Sequence, residues 1–203
     1  MKKYSSSFLV LSIILIVFAC NNIKQSEQSR IAQEKQDSIR KDSLSYFVWK
    51  DAKFGMTKED ILQTEAFRAI KDYGGRDISF GSSDIYDLCS RLQLKELENV
   101  NLSFNDKGFY QIEFSSSNSV TADHIDDMES DCHRIVDEIE KVYGDVFSWR
   151  YIDLSVRDFD EGKSIRLLHK TFGNTVILVT MGKDYNNYTY WYRVTVTNLK
   201  IYC

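Results

Sequence analysis

The side chains able to do chemistry in this chain are few and scattered. Three histidines, His124, His133 and His169, and four cysteines, Cys20, Cys89, Cys132 and Cys203, stand among 30 acidic residues. Zinc centres draw ligands from short-spaced pairs such as Cys-x-x-Cys or His-Glu-x-x-His, and neither spacing occurs. Cys132 and His133 are adjacent, and neighbours on a helix point about 100° apart, so they do not easily share an ion. "DFDEGKS", counted from Asp158, puts glycine at loop position five, whereas an EF-hand needs it at six with Glu at twelve, so a hairpin turn is the better reading. There is no Gly-x-Ser-x-Gly elbow, no well-placed Ser-x-x-Lys and no Gly-rich phosphate loop. The expectation is therefore no catalytic set, no metal and no cofactor. The eight acids from Asp123 to Glu140 read as the solvated face of a helix. A carboxylate pair assembled from distant residues is the enzymatic alternative left open.

The N-terminus says more about where such residues are held. Lys2 and Lys3 precede an apolar run from Phe8 to Phe18, and Cys20 closes it. A basic start, a short apolar core and a small residue at the cut is the layout of a secretory signal peptide. The run is too short for a bilayer span, which needs roughly 20 apolar residues. Val17-Phe18-Ala19-Cys20 resembles the lipobox of bacterial lipoproteins, with Phe18 where a small residue is more usual. That resemblance implies removal of residues 1–19 and lipidation of Cys20, whose acyl chains would contribute about 0.8 kcal/mol per buried CH₂ and anchor the protein stably. Asn21 stands where an Asp would favour inner-membrane retention in enteric bacteria, so the resemblance also implies an outer-membrane anchor facing the periplasm.

Loss of residues 1–19 leaves 24 basic against 30 acidic side chains, a net charge of −6. That balance argues against nucleic acid and against anionic membrane surfaces as electrostatic partners. With Cys20 lipidated, Cys89, Cys132 and Cys203 remain. A Cys89–Cys132 bridge is open to them in an oxidising envelope, but the odd count does not favour it.

Residues 20–46 read as the lipidated cysteine and a polar tether. The tether has no Gly or Pro, carries i,i+4 pairs such as Asp37 with Lys41, and would reach about 40 Å if helical. A single domain, 47–203, follows. In "FGMTKEDI", Thr57 is placed to cap a helix, with Asp60 at its third position and Met56 able to staple against Ile61. The string, preceded by Trp49, resembles the "G-M-[ST]-x-x-E-V" opening of small envelope lipoproteins, including the SmpA/OmlA-like group and the related β-lactamase-inhibitor-like fold. "VYGD" at 142–145 resembles the Tyr-Gly-x-Pro of such proteins, with Val146 where Pro is common.

Alternation predicts strands through Tyr86–Leu94 loosely, then cleanly through Val100–Phe104 and Tyr110–Phe114, with Asn105–Gly108 as a hairpin turn. Thr121 to Tyr143 is the clearest helix, because Ile125, Met128, Cys132, Ile135, Ile139 and Val142 fall on one stripe. Strands are expected again at Ile152–Val156, Ile165–His169, Thr175–Met181 and Tyr188–Thr197, the third entered through Gly173 and Asn174. The fold class is α+β: an antiparallel sheet with helices packed on one face, order α-βββ-α-ββββ, as a divergent duplication of one helix-on-sheet unit would give.

The last strand sets Tyr188, Tyr190 and Tyr192 on one face, with Trp191 and Arg193 opposite. Exposed aromatics with Arg anchor protein interfaces, so these five are the candidate partner-binding residues; tyrosines filling the core face is the competing reading. Together these readings predict a membrane-anchored binding or scaffold module, its partners the membrane through the N-terminal lipid and another envelope protein. The rival classes are a periplasmic hydrolase or carbohydrate-handling enzyme, and an inhibitor of an envelope enzyme.

Overall fold

A computed structural model describes residues 27, 29–39, 47–68, 75–81, 84–116, 120–143, 159, 164–184 and 189–203. The signal peptide, Cys20, the strand expected at Ile152–Val156, most of the "DFDEGKS" turn and Tyr188 lie outside the described residues. The chain divides into two units, residues 1–41 and 42–203. In the first, residues 29–39 form helix α1, exposed at every position, Ile31 and Ile39 included. Arg30 and Glu34, one turn apart, approach to 3.6 Å. No described helix is long and apolar enough to cross a membrane.

The second unit opens with a small ribbon, β1 (Phe47–Trp49) paired with β2 (Ala52–Lys53). Thr57 then caps α2 (Lys58–Gln63): its Oγ1 accepts from the Asp60 amide at 3.2 Å and donates to the Asp60 carboxylate at 2.9 Å. The helix ends early because Thr64 turns its hydroxyl back onto the Ile61 carbonyl, 2.6 Å away, with its own backbone extended. After it come β3 (Ile78–Phe80), α3 (Tyr86–Leu92), β4 (Leu97–Asn105) and β5 (Gly108–Ser116). A 3₁₀ turn (Ala122–His124) leads into the long α4 (Ile125–Tyr143), then β6 (Ser164–Phe172), β7 (Thr175–Lys183), β8 (Tyr190–Asn198) and a last turn of helix, α5 (Leu199–Tyr202).

Six of these strands form one antiparallel sheet in the order β3-β4-β5-β8-β7-β6. The domain is α+β, and its strand order is palindromic. Each half is a meander running from the edge to the centre, β3 to β5 on one side and β6 to β8 on the other, and the two innermost strands pair antiparallel. A helix precedes each half, α2 the first and α4 the second, and α3 interrupts the first half between β3 and β4.

One face of the sheet is dry. Val100, Leu102, Ile112, Phe114, Ile177, Val179, Met181, Val194 and Val196 are all at most 1% exposed. The α4 stripe meets them: Met128, Cys132 and Ile135 are fully buried and Ile139 nearly so, as the 3-4-3-4 spacing predicts. Trp49 of β1 extends this layer by packing its ring 4.9 Å from that of Phe114.

Three expectations are corrected. Tyr86–Leu94 is not a strand: Ile85, Leu88, Cys89 and Leu92 recur at helical spacing, and Gln93 closes α3 in the left-handed conformation with φ 54°. In β6 the alternation expected through Ile165, Leu167 and His169 is broken by a register slip between Arg166 and Leu168, so Leu168 is buried and Leu167 only partly so. The acids of α4 are not all solvated, because Glu129 and Asp131 are each 1% exposed. Cys89, Cys132 and Cys203 are free thiols, without the Cys89–Cys132 bridge.

The β4–β5 hairpin turns at Asp106 and Lys107 as expected, and Gly108 has φ +107°. A Cβ at Gly108 would also stand 2.5 Å from the Gly55 carbonyl oxygen, where the backbone before α2 pairs with β5 through Gly55 N to Phe109 O, 2.8 Å. Strain and clash act together, so Gly108→Ala should cost about 2 kcal/mol or more. Thermal unfolding would show this as a loss of roughly 5 °C or more.

Candidate binding face

The sheet's second face is not covered by α4. Because side chains alternate, the inward register of Val194 and Val196 sends Trp191, Arg193, Thr195 and Thr197 outward. Cross-strand pairing then lines up rows on this open face. Asn99, Ser115, Arg193, Thr180 and Arg166 make one; Asn101, Glu113, Thr195, Leu178 and His169 make the next.

Between β4, β5 and β8 the open face dips into a hollow of ≈ 250 Å³. Its outward-facing lining includes Asn99, Asn101, Glu113, Ser115, Trp191 and Arg193, joined by Glu98. Glu98 reaches the rim because the β4–β5 register slips between Leu97 and Asn99. Arg193 has a partner on two sides: its Nε forms an ion pair across the strands with Glu113 Oε2 at 3.2 Å, and its guanidinium lies 5.6 Å from the centre of the Trp191 ring. The hollow is therefore lined by Trp191, the Glu113–Arg193 ion pair, several uncharged amides and hydroxyls, and the Glu98 carboxylate at its rim.

The five candidate binding residues separate accordingly. Trp191 and Arg193 lie on the open face. Tyr190 and Tyr192 are 2% and 0% exposed, so they are core residues and their assignment to a partner surface is corrected. Tyr190 packs edge-on against Phe159 at 5.3 Å. Tyr192 points toward α4, its hydroxyl 3.4 Å from Asp131. His169 is exposed on the edge strand β6.

Asp131 is the polar group on which the helix side turns. Its carboxylate accepts the Lys95 amide at 3.0 Å on both oxygens, the Glu96 amide at 2.7 Å and the Tyr192 hydroxyl. Burial pushes its pKa up, and the two amides oppose that shift. The same burial, with Asp131 close by, pushes the Tyr192 hydroxyl far above its ordinary value. No sequence motif marks Asp131; its only signal is a carboxylate one residue before Cys132 of the apolar stripe.

Beside it, Glu96, His124 and Asp127 bring ligand-type atoms within 4.8 Å of one another, a grouping that residue spacing does not reveal. These groups already have partners: His124 Nδ1 is 2.7 Å from Glu96 Oε1, and the Lys95 ammonium is 2.5 Å from Asp127. The Glu96 hydrogen bond and charge, reinforced by Asp123 and Asp127, raise the His124 pKa. A second concavity of ≈ 310 Å³ has Trp49, Phe67, Phe80 and Phe114 among its walls. Its rim includes Arg68 and Asp84, beside residues 69–74 and 82–83, which lie outside the described set.

Two measurements check this polar layer. Asp131→Asn keeps the shape but removes the charge and one acceptor, and chemical denaturation should show a loss of about 1–3 kcal/mol. For His124, a raised folded pKa means that its contribution is complete below the unfolded value of about 6.5 and is lost as pH rises through the higher folded value. Wild type should therefore lose more thermal stability than His124→Gln between pH 6 and pH 8; parallel pH profiles would contradict the assignment. No protein-family model, no curated protein and no solved structure matches this chain.

Proposed function

We propose that the protein is an envelope lipoprotein, anchored through Cys20, whose α+β domain is a binding module that presents its open sheet face to a second envelope macromolecule. The observation that carries the binding half is the asymmetry of the sheet. One face is filled by the α4 stripe, while the other holds Trp191, Arg193 and Glu113 in a fixed arrangement around a hollow. Such a face costs little ordering entropy when it binds, because Arg193 is already held between Glu113 and Trp191. The anchoring half rests on the Val17-Phe18-Ala19-Cys20 string and on the exposed helix at 29–39, which suits a spacer.

The hydrolase reading narrows to one place. Glu98 and Glu113 line the same hollow and are the carboxylates such an enzyme would use there. Glu113, however, is already engaged by Arg193 at 3.2 Å. The inhibitor reading shares the binding face and differs only in the partner.

Anchoring is tested by Cys20→Ser, which should abolish incorporation of labelled palmitate and release the protein from the membrane fraction. Retained label would contradict it. Binding is tested by placing a photo-crosslinking residue at Thr195 in intact envelopes. An adduct of defined size is expected there, and its absence would count against a binding role for this face.

A further inference from the structure

The chemistry of the open face points to the class of ligand it takes. We infer that the hollow between β4, β5 and β8 is a subsite for a neutral glycan, one pyranose ring stacking on Trp191 with its hydroxyls taken by Asn99, Asn101, Glu113 and Arg193. This rests on the open face being the binding surface and names what occupies it.

Charge is the first argument. Glu113 and Arg193 cancel each other at 3.2 Å, and their neighbours in the two rows, Asn99, Asn101, Ser115, Thr180 and Thr195, are uncharged. A phosphate or an acidic peptide would want unpaired cations here, and a basic peptide would want unpaired carboxylates. Among the described residues no unpaired cation lines the hollow, and its one further carboxylate, Glu98, stands at the rim, where it can accept from a sugar hydroxyl.

The second argument is the balance of apolar and polar groups. Stable protein partners bury an aromatic and aliphatic centre ringed by polar groups. On this face the apolar side chains of β7 and β8 are Trp191, Leu178 and Val176, and of these Trp191 alone reaches the hollow. One aromatic plate amid planar amides, a carboxylate and a guanidinium suits a ring that has an apolar C–H face and an equatorial belt of hydroxyls. Each sugar hydroxyl both donates and accepts, and the lining supplies both partners: amide NH₂ and guanidinium N–H donate, while amide oxygen and the Glu113 carboxylate accept.

Size is the third. At ≈ 250 Å³ the hollow falls below the range of drug-sized pockets, roughly 300–1,000 Å³, and takes about one ring rather than a folded element. A longer chain would run on along the neighbouring strands, where Thr195, Thr197, Gln111 and Ser103 continue the polar surface.

The test is binding of the full-length protein in detergent to β-1,4-linked N-acetylglucosamine hexamer and to cellohexaose, read by calorimetry and by quenching of tryptophan fluorescence. Saturable binding is expected for at least one. Trp191→Ala should weaken it at least tenfold, Asn101→Ala should weaken it several-fold, and Trp191→Phe should retain part of it. Unchanged thermal unfolding of these variants would show that folding is intact, and Val176→Ala, away from the hollow, should bind as wild type does. Failure of both hexasaccharides to bind, or binding that Trp191→Ala leaves unchanged, overturns the inference. A protein adduct at Thr195 with no glycan binding would overturn the glycan alone and keep the binding-module reading. Neither adduct nor glycan binding would overturn both.

Discussion

A single buried carboxylate ties the two sides of this domain together. Asp131 leaves α4 toward the sheet and takes the amides of Lys95 and Glu96, just before β4, and the hydroxyl of Tyr192 near the start of β8. Burying an ionisable group is costly unless its hydrogen bonds are supplied, and here the partners come from two separate parts of the chain, neither of them α4. The contact therefore fixes the start of β4, the rotation of α4 and the inward register of β8 together. With Tyr192 facing in, Trp191 and Arg193 must face out. The outward placement of Trp191 and Arg193 goes with the polar contact behind them.

Around Asp131 other groups hold the same loop. Lys95 reaches Asp127, Glu96 reaches His124, and the Arg134 guanidinium donates to the carbonyls of Leu92 and Gln93 at the end of α3. The exposed ion pairs contribute little individually to stability. Their value lies in position, since they bracket the buried contact and keep water-exposed backbone from drifting away from it. At the far end of β5 the Ser116 hydroxyl accepts the Tyr192 amide at 2.9 Å, where the β5–β8 ladder runs out. Both ends of the Tyr192 residue, amide and hydroxyl, are thus satisfied inside the core.

Much of this scaffold was legible in the residues. The stripe of α4, the Thr57 cap, the turn before Gly108 and the alternation of β5 and β8 follow from periodicities that burial enforces directly. What periodicity could not decide was which face of β8 is wet. Tyr190 and Tyr192 alternate with Trp191 and Arg193, and both sets are amphipathic; the tyrosines share the register of Val194 and Val196, and Tyr192 meets Asp131, far away in sequence, on that inner face. α3 was hidden for a related reason: Tyr86, Leu88, Leu92 and Leu94 satisfy a period of two loosely, while the helical set through Ile85 and Cys89 includes a cysteine that reads as neutral. The slip at Leu167 and the gathering of Glu96 with His124 are products of strand pairing and carry no local signal. The chemistry expected of Cys20 rests on one short string, while the arrangement of Trp191, Arg193 and Glu113 needed the fold.

The central claim is that the face carrying Arg193 and Thr195 is the one that another envelope molecule covers. Single-cysteine variants Arg193→Cys, Thr195→Cys and Val194→Cys, in a chain with Cys89, Cys132 and Cys203 replaced by serine or alanine, measure this by maleimide labelling. In purified protein the first two should label rapidly and Val194→Cys slowly. In intact envelopes the open-face positions should become protected. Rapid labelling of Val194→Cys, or open-face labelling as fast in envelopes as in purified protein, would contradict the account.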